Sequence, residues 1–330
     1  MIRLERTFRS SDRKTDIHVL LWMPEGEIRG VLQIVHGMCE FVERYDEFAA
    51  FMAEHGYVVC ANDHLGHGRS VTEEGQLGFF REKDGDGALI SDMRKLHIIM
   101  KKKYPEVPYF MLGHSMGSFL VRQYMEMYAG ELAGVIVMGT GSYPRAVIKF
   151  GKGLCRCRAM MKNWHYRSRL IEGIAKGSYN KAFEPLRTPY DWLSRDESIV
   201  DRFASEPLDT FAFTVNGYYS MFTAIEKAQD RKRIAGIPKD FPILLVSGTM
   251  DPVGSITKGV KTAYNDMKKA GLSDVQMRFF EGDRHEILNE LDRKEVYQYL
   301  LDWLDARFEQ ENGSYAKEKC LRREFISFEP

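Results

Sequence analysis

The pentapeptide Gly113-His114-Ser115-Met116-Gly117 constrains this chain more than any other feature. It fits G-x-S-x-G, the pattern of a sharp strand-to-helix turn that lifts a serine above the end of a sheet. The flanking residues agree with that context. Tyr109-Phe110-Met111-Leu112 is a short apolar run that reads as a buried strand, and Phe119 to Tyr128 reads as a helix with Leu120, Tyr124 and Tyr128 on one face. The two glycines allow the strained turn and let the helix pack close to the sheet.

The rest of the chain alternates strand and helix patterns, which predicts an α/β fold with a mostly parallel central sheet flanked by helices. Strands are expected at Ile17 to Met23 (paired with Arg3 to Arg9), Val31 to Val35, Tyr57 to Ala61 and Val135 to Met138. Helices are expected at Tyr45 to His55 and Asp86 to Lys103, each with an apolar stripe. The alternation stops after Gly141 and resumes at Ile243-Leu244-Leu245-Val246, followed by helix 256–270, strand 275–280 and helix 293–308. The expected organisation is a core of residues 1–141 and 238–308, an inserted helical cap at 142–237, and a loosely docked C-terminal tail at 309–330.

Bulk properties exclude several classes. Lys+Arg and Asp+Glu both number 47, so a net charge of zero gives no footprint for nucleic acid. No stretch reaches the ~20 apolar residues of a membrane span, and the charged opening Met-Ile-Arg-Leu-Glu-Arg does not read as a signal peptide. Five scattered cysteines, Cys39, Cys60, Cys155, Cys157 and Cys320, suit a reducing cytoplasm as free thiols.

A serine alcohol is a weak nucleophile at neutral pH and needs a base, which in turn needs an orienting acid. The elbow arrangement supplies them in the order Ser, Asp or Glu, His, each past a strand end. Asp251 follows the strand at 243–247 and His285 follows the strand at 275–280, so Ser115, Asp251 and His285 are the candidate catalytic set. Asp283 and Glu286 flank the histidine too closely to reach its far nitrogen. The oxyanion hole calls for two backbone N–H donors, assigned to Met116 and to Met38 in His36-Gly37-Met38-Cys39-Glu40. Glu40 and His114 are candidate substrate contacts. Asp63-His64-Leu65-Gly66-His67-Gly68 has metal-like chemistry but reads better as a turn with hydrogen-bonded histidines; no metal and no cofactor is expected. Arg145, Lys149, Lys152 and Arg156 form one stripe if their segment is helical, a pattern compatible with transient contact of the cap with an anionic membrane surface. Gly151 and Gly153 weaken that helix.

These motifs together resemble the α/β-hydrolases of the monoacylglycerol lipase and lysophospholipase family, close to the serine aminopeptidases. The likeness rests on His36 to Glu40 with Arg44-Tyr45, Asn62 to Ser70, the elbow, Gly248-Thr249-Met250-Asp251-Pro252 and His285 to Glu290; it spans residues 10–308. Phe183-Glu184-Pro185 and Asp191-Trp192-Leu193-Ser194-Arg195 resemble the family's cap. Cys39 and Ser118 stand where members often carry glycine. The resemblance implies a cofactor-free carboxylic ester hydrolase acting on a small-molecule or single-chain lipid ester, monoacylglycerol or lysophospholipid, through an acyl-enzyme. Acyl transfer, thioester cleavage and aminopeptidase action use the same machinery, and a hydrolase-like binding protein without chemistry is the non-enzymatic alternative.

Overall fold

The computed structural model describes residues 1–324, with side chains through residue 309 apart from residue 74. Eight strands form one sheet in the order β1-β2-β4-β3-β5-β6-β7-β8. The strands are β1 Ile2–Arg9, β2 Asp16–Met23, β3 Gly30–Val35, β4 Tyr57–Asn62, β5 Tyr109–His114, β6 Gly134–Met138, β7 Ile243–Gly248 and β8 Val275–Phe280. β1 and β2 form an antiparallel hairpin and β2 meets β4 antiparallel; every pairing from β4 to β8 is parallel. The strands from β3 to β7 are buried along their whole length, which is why they read as continuous apolar runs and not as alternating ones. β8, at the edge, has buried ends, with exposed Gln276 and Arg278 alternating with half-buried Met277 and Phe279 between them.

Helices cover both faces. α1 Asp46–Glu54 and α10 Arg293–Glu324 pack one side, with Phe48 and Tyr297 rings 5.1 Å apart. α2 Gly85–Lys103, α3 Met116–Tyr128 and α9 Lys258–Lys269 pack the other. α10 carries the chain on as helix through Glu324, so the described backbone of the expected tail is helical; residues 325–330 lie outside the described residues.

Between β6 and β7 lie α4 Arg145–Met161, α5 Arg169–Lys176, α6 Glu197–Ser205, α7 Val215–Ala228 and α8 Arg231–Ala235. α7 packs against α4 on one side and against α2 and α3 on the other. This second layer explains a difference from the periodicity. The sequence suggests one apolar face on α3, yet every residue from Met116 to Met125 is buried, because α7 covers the side turned away from the sheet. α4 runs through both of its glycines. At Gly151 a side chain would meet the Phe222 ring of α7 at 2.9 Å, so the missing Cβ serves helix packing there.

The elbow is the tightest point of the fold. Ser115 adopts φ 52°, ψ −116°, outside the regions that non-glycine residues favour. A Cβ at Gly117 would lie 2.0 Å from the Val35 carbonyl oxygen, and one at Gly113 would lie 2.4 Å from that of Gly117. α3 therefore touches the end of β3 backbone to backbone. Gly117→Ala should lower stability by ~1–3 kcal/mol, the usual cost of overpacking. Gly130→Ala, where a Cβ meets nothing within 4 Å, should stay within about 0.5 kcal/mol of the parent. Urea denaturation of the two variants checks the contrast.

Candidate active site

The ends of β3, β5, β7 and β8 converge on one cavity of about 800 Å³. That size and its largely apolar lining suit a small organic ligand. Ser115, Met116, Met38, Glu40, His114 and His285 all line it, with Phe119 from α3 and Tyr143, Ile148, Tyr179, Trp192 and Phe222 from the segment between β6 and β7. Asp251 lies behind the wall and is fully buried.

β7 ends at Gly248, and the turn that follows places Asp251 under the loop after β8. Asp251 Oδ1 is 3.0 Å from His285 Nδ1 and also accepts the Val253 N–H at 2.9 Å, while Oδ2 accepts the Ser247 hydroxyl at 3.0 Å. The carboxylate is thus held from three directions. The hydrogen bond fixes which imidazole nitrogen carries the proton. Asp283 and Glu286 do not approach that nitrogen: Asp283 pairs with Arg195, and Glu286 pairs with Arg44.

The loop expected to supply an oxyanion donor follows β3. Among the described residues, neither the Met38 nor the Met116 backbone N–H donates to a protein acceptor. A Cβ at Gly37 would lie 2.9 Å from the Ser115 Cβ, so this loop and the elbow are in direct contact. Cys39 sits at φ 55°, a left-handed conformation. Glycine adopts that conformation without strain. Ser118, the second departure, turns its hydroxyl to the Ser115 carbonyl at 2.6 Å.

His67 and His36 prop the same loop. His67 Nε2 accepts the Cys39 N–H at 3.3 Å, and His36 Nε2 accepts the His64 N–H at 2.9 Å. Burial pushes all three histidines toward the neutral form, His64 to about 3 and His67 to about 4. The expectation of hydrogen-bonded histidines holds for the His67 ring and not for the His64 ring, whose two nitrogens have no partner among the described residues. Two other clusters bring ligand atoms within 4.8 Å of one another, His18 with Glu43 and Asp63, and Asp283 with Glu290 and Asp292. In the first, Asp63 already accepts from Val42, Arg69 and His18; in the second, Arg195 occupies the centre.

Glu40 and His114 line the cavity, but their polar atoms engage each other. Glu40 Oε1 accepts from His114 Nδ1 at 2.9 Å, from the Tyr45 hydroxyl at 3.1 Å and from the Gly37 N–H. His114 Nε2 lies 3.3 Å from the His285 carbonyl oxygen. Burial works against the charge on Glu40, yet His114, Arg44 and the Gly37 N–H outweigh it and hold the carboxyl at about 2. Sequence reasoning missed what stands beside this pair. Arg44 also binds Asp209 at 2.9 Å and Glu286 at 2.5 Å. Nothing in the local pattern around Asp209 marks it, since it enters the site from an irregular stretch after α6.

The expected basic stripe is divided by the fold. Lys152 pairs with Glu226 at 2.5 Å, and Arg156 donates to the Tyr219 hydroxyl at 2.7 Å, so both turn to α7; Arg145 and Lys149 face outward. Cys39, Cys60, Cys155 and Cys157 are free thiols, and Cys320 lies beyond the described side chains. Among the described residues no helix is long and apolar enough to cross a membrane.

A mostly parallel sheet with a strained serine elbow after β5 and an Asp–His pair after β7 and β8 defines an α/β-hydrolase. Residues 26–292 match the serine aminopeptidase S33 family, and the chain belongs to it. It is 24% identical over 286 residues to the monoacylglycerol lipase of Mycolicibacterium smegmatis, covering 86% of this chain and 91% of that protein. It is 26% identical to the monoglyceride lipase of Rattus norvegicus, covering 91% and 88% of the two chains. The structure of a thermostable carboxyl esterase from Bacillus coagulans superimposes with a TM-score of 0.86 at 29% identity, over 93% of this chain and 99% of that one. The chain is a carboxylic ester hydrolase of the monoglyceride lipase-like kind.

The Glu40 geometry carries a signed expectation. Its carboxyl binds a proton less readily folded than unfolded, so its contribution to stability is full above pH ~4.5 and is lost as pH falls toward 2. Glu40→Gln removes this dependence. Urea midpoints measured from pH 5 to pH 3 should fall less steeply for the variant than for the parent.

Proposed function

We propose that the chain hydrolyses single-chain lipid esters, monoacylglycerol or lysophospholipid, through an acyl-enzyme on Ser115. One observation carries this reading: Ser115, on a strained elbow, shares an apolar cavity with His285, whose Nδ1 is held by the buried Asp251. His285 Nε2 takes the serine proton as Oγ attacks the acyl carbonyl. Asp251 fixes the tautomer and stabilises the imidazolium that forms. The N–H groups of Met38 and Met116 receive the oxyanion; each such donor is worth ~3 kcal/mol in the transition state. His285 returns its proton to the departing alcohol, then activates water to release the acid. The names of the relatives as monoacylglycerol and monoglyceride lipases support the lipid class.

In this reading residues 142–237 are a cap over a core of 1–141 and 238–308. Val147, Ile174 and Leu186 line the cavity yet are 51%, 48% and 44% exposed, which places them at its mouth. Phe150 and Leu170 nearby are 64% and 49% exposed. A cluster of exposed apolar side chains around a cavity mouth, with Arg145 and Lys149 outward on α4, is the chemistry of a transient lipid-surface contact. An aminopeptidase reading draws on a different observation: Glu40, Asp209 and Glu286 all line the cavity, and carboxylates are what a substrate ammonium needs. Arg44 and His114 already pair with these carboxylates, which favours the ester.

Ser115→Ala, His285→Ala and Asp251→Asn should each reduce turnover of a p-nitrophenyl ester by about 10⁴-fold or more, and the Ser115/His285 double variant should lose little beyond either single one. Labelling of Ser115 by a fluorophosphonate, and monoacylglycerol turnover set beside an amino-acyl p-nitroanilide, decide between the readings. Full esterase activity in Ser115→Ala would sink the mechanism.

The lipid contact has its own test. Replacing Phe150 and Leu170 by Ser should weaken sedimentation with anionic vesicles while turnover of a short soluble ester stays within about twofold, because neither side chain lines the cavity. Unchanged vesicle binding would remove the surface from the proposal.

A further inference from the structure

The loop that carries His285 is held by the cap. Its backbone N–H groups at His285 and Glu286 donate to the carbonyls of Trp192 at 3.4 Å and Leu193 at 2.8 Å. The Arg284 guanidinium donates to the carbonyls of Asp191 and Ser194. The Trp192 ring lies against the His285 ring, centroids 5.1 Å apart. At the centre of this seam stands Arg195. Its Nε is 2.9 Å from Glu290 Oε2, and its Nη2 is 2.8 Å from Asp292 Oδ1 and also binds Asp283 Oδ1. Its backbone N–H reaches both Glu290 oxygens at 3.1 Å. Glu290 in turn accepts the backbone N–H of Arg284, the residue before His285, at 2.8 Å.

One cation thus holds three carboxylates, of which Asp283 and Glu290 are fully buried. Burial together with Glu290 and Asp292 raises the Asp283 carboxyl to about 8 even with Arg195 beside it. Without the guanidinium, Glu290 and Asp292 lose the cation that ties the 283–292 loop to the inserted segment. The Asp251 contact fixes only one end of the imidazole. Where the ring sits over the cavity depends equally on the backbone of residues 284–286, and that backbone is tied to residues 191–195.

We infer that Arg195 is a positioning residue for His285, so that the inserted segment completes the catalytic geometry as well as roofing the cavity. The inference rests on the reading of His285 as the base. A short soluble ester such as p-nitrophenyl butyrate separates the two roles, since it needs no lipid-binding roof. Arg195→Ala should lower kcat on this ester about 10- to 100-fold, with KM within about twofold, the pattern of a displaced catalytic group. Arg195→Lys should recover part of kcat, because a single ammonium supplies the charge without the planar fork that spans several carboxylates. If the Ala variant does not fold, judged by circular dichroism, the Lys variant carries the test through the same kcat loss. Unchanged kcat on the short ester in a folded Ala variant, or in the Lys variant where Ala does not fold, overturns the inference, as does a loss confined to KM or to lipid substrates. His285→Ala is the reference. If it is inactive while Arg195→Ala keeps full kcat, only the positioning role falls; if it is active, the assignment of the base falls and the inference with it.

Discussion

The backbone contact between the start of α3 and the end of β3 is the constraint on which the site depends. With no side chain at Gly117, the helix rests against the Val35 carbonyl, and Gly37 brings the next loop against Ser115 itself. This closeness brings Met38, Ser115 and Met116 to the wall of one cavity. It also fixes the strained φ of Ser115, which the surrounding parallel strands over-determine. Any residue larger than glycine at these positions would separate the two loops and with them the proposed donors.

Around that contact the fold spends its buried charge on two arginines. Arg44 meets Glu40 from the β3 loop, Asp209 from the inserted segment and Glu286 from the His285 loop. Arg195 meets Asp283, Glu290 and Asp292. Buried ions are tolerated when paired in good geometry, and removing one partner is far costlier than the pair is stabilising. Each arginine therefore ties segments distant in sequence into one arrangement. The inserted residues near 191–209 are anchored to the core by charge, whereas α4 and α5 present apolar side chains at the cavity mouth. Anchored wall and apolar rim are different physical regimes, and they suit different tasks: holding a reactive group and admitting a lipid chain.

Much of the core was legible before any coordinates. The parallel strands are buried on both faces, so they appear as unbroken apolar runs with turn residues at their ends. β2 reads as an apolar run for the same reason, whereas its hairpin partner β1 is mostly exposed and carries no such run. Helix ends were less legible: α3 begins at the residue after Ser115, three residues earlier than its apolar stripe suggests. Its other face is covered by α7, which no local pattern announces. The basic stripe of α4 was a correct reading of spacing and an incomplete reading of environment, because Glu226 and Tyr219 from α7 claim two of its four charges.

The sequence by itself determined the elbow, the order of Ser115, Asp251 and His285 along the chain, and their placement past strand ends. Those properties are local: they depend on a turn, a strand length and a glycine. Only the tertiary structure decided that Asp251 reaches the far nitrogen of His285, that Glu40 and His114 bind each other, that Arg44 gathers carboxylates from three segments, and that Arg195 gathers three from the 283–292 loop. Such contacts join residues up to 242 positions apart, as Arg44 and Glu286 are. The pairing of buried charges is set by which side chains the packed sheet and helices bring within a few ångströms, and a one-dimensional pattern does not encode that distance.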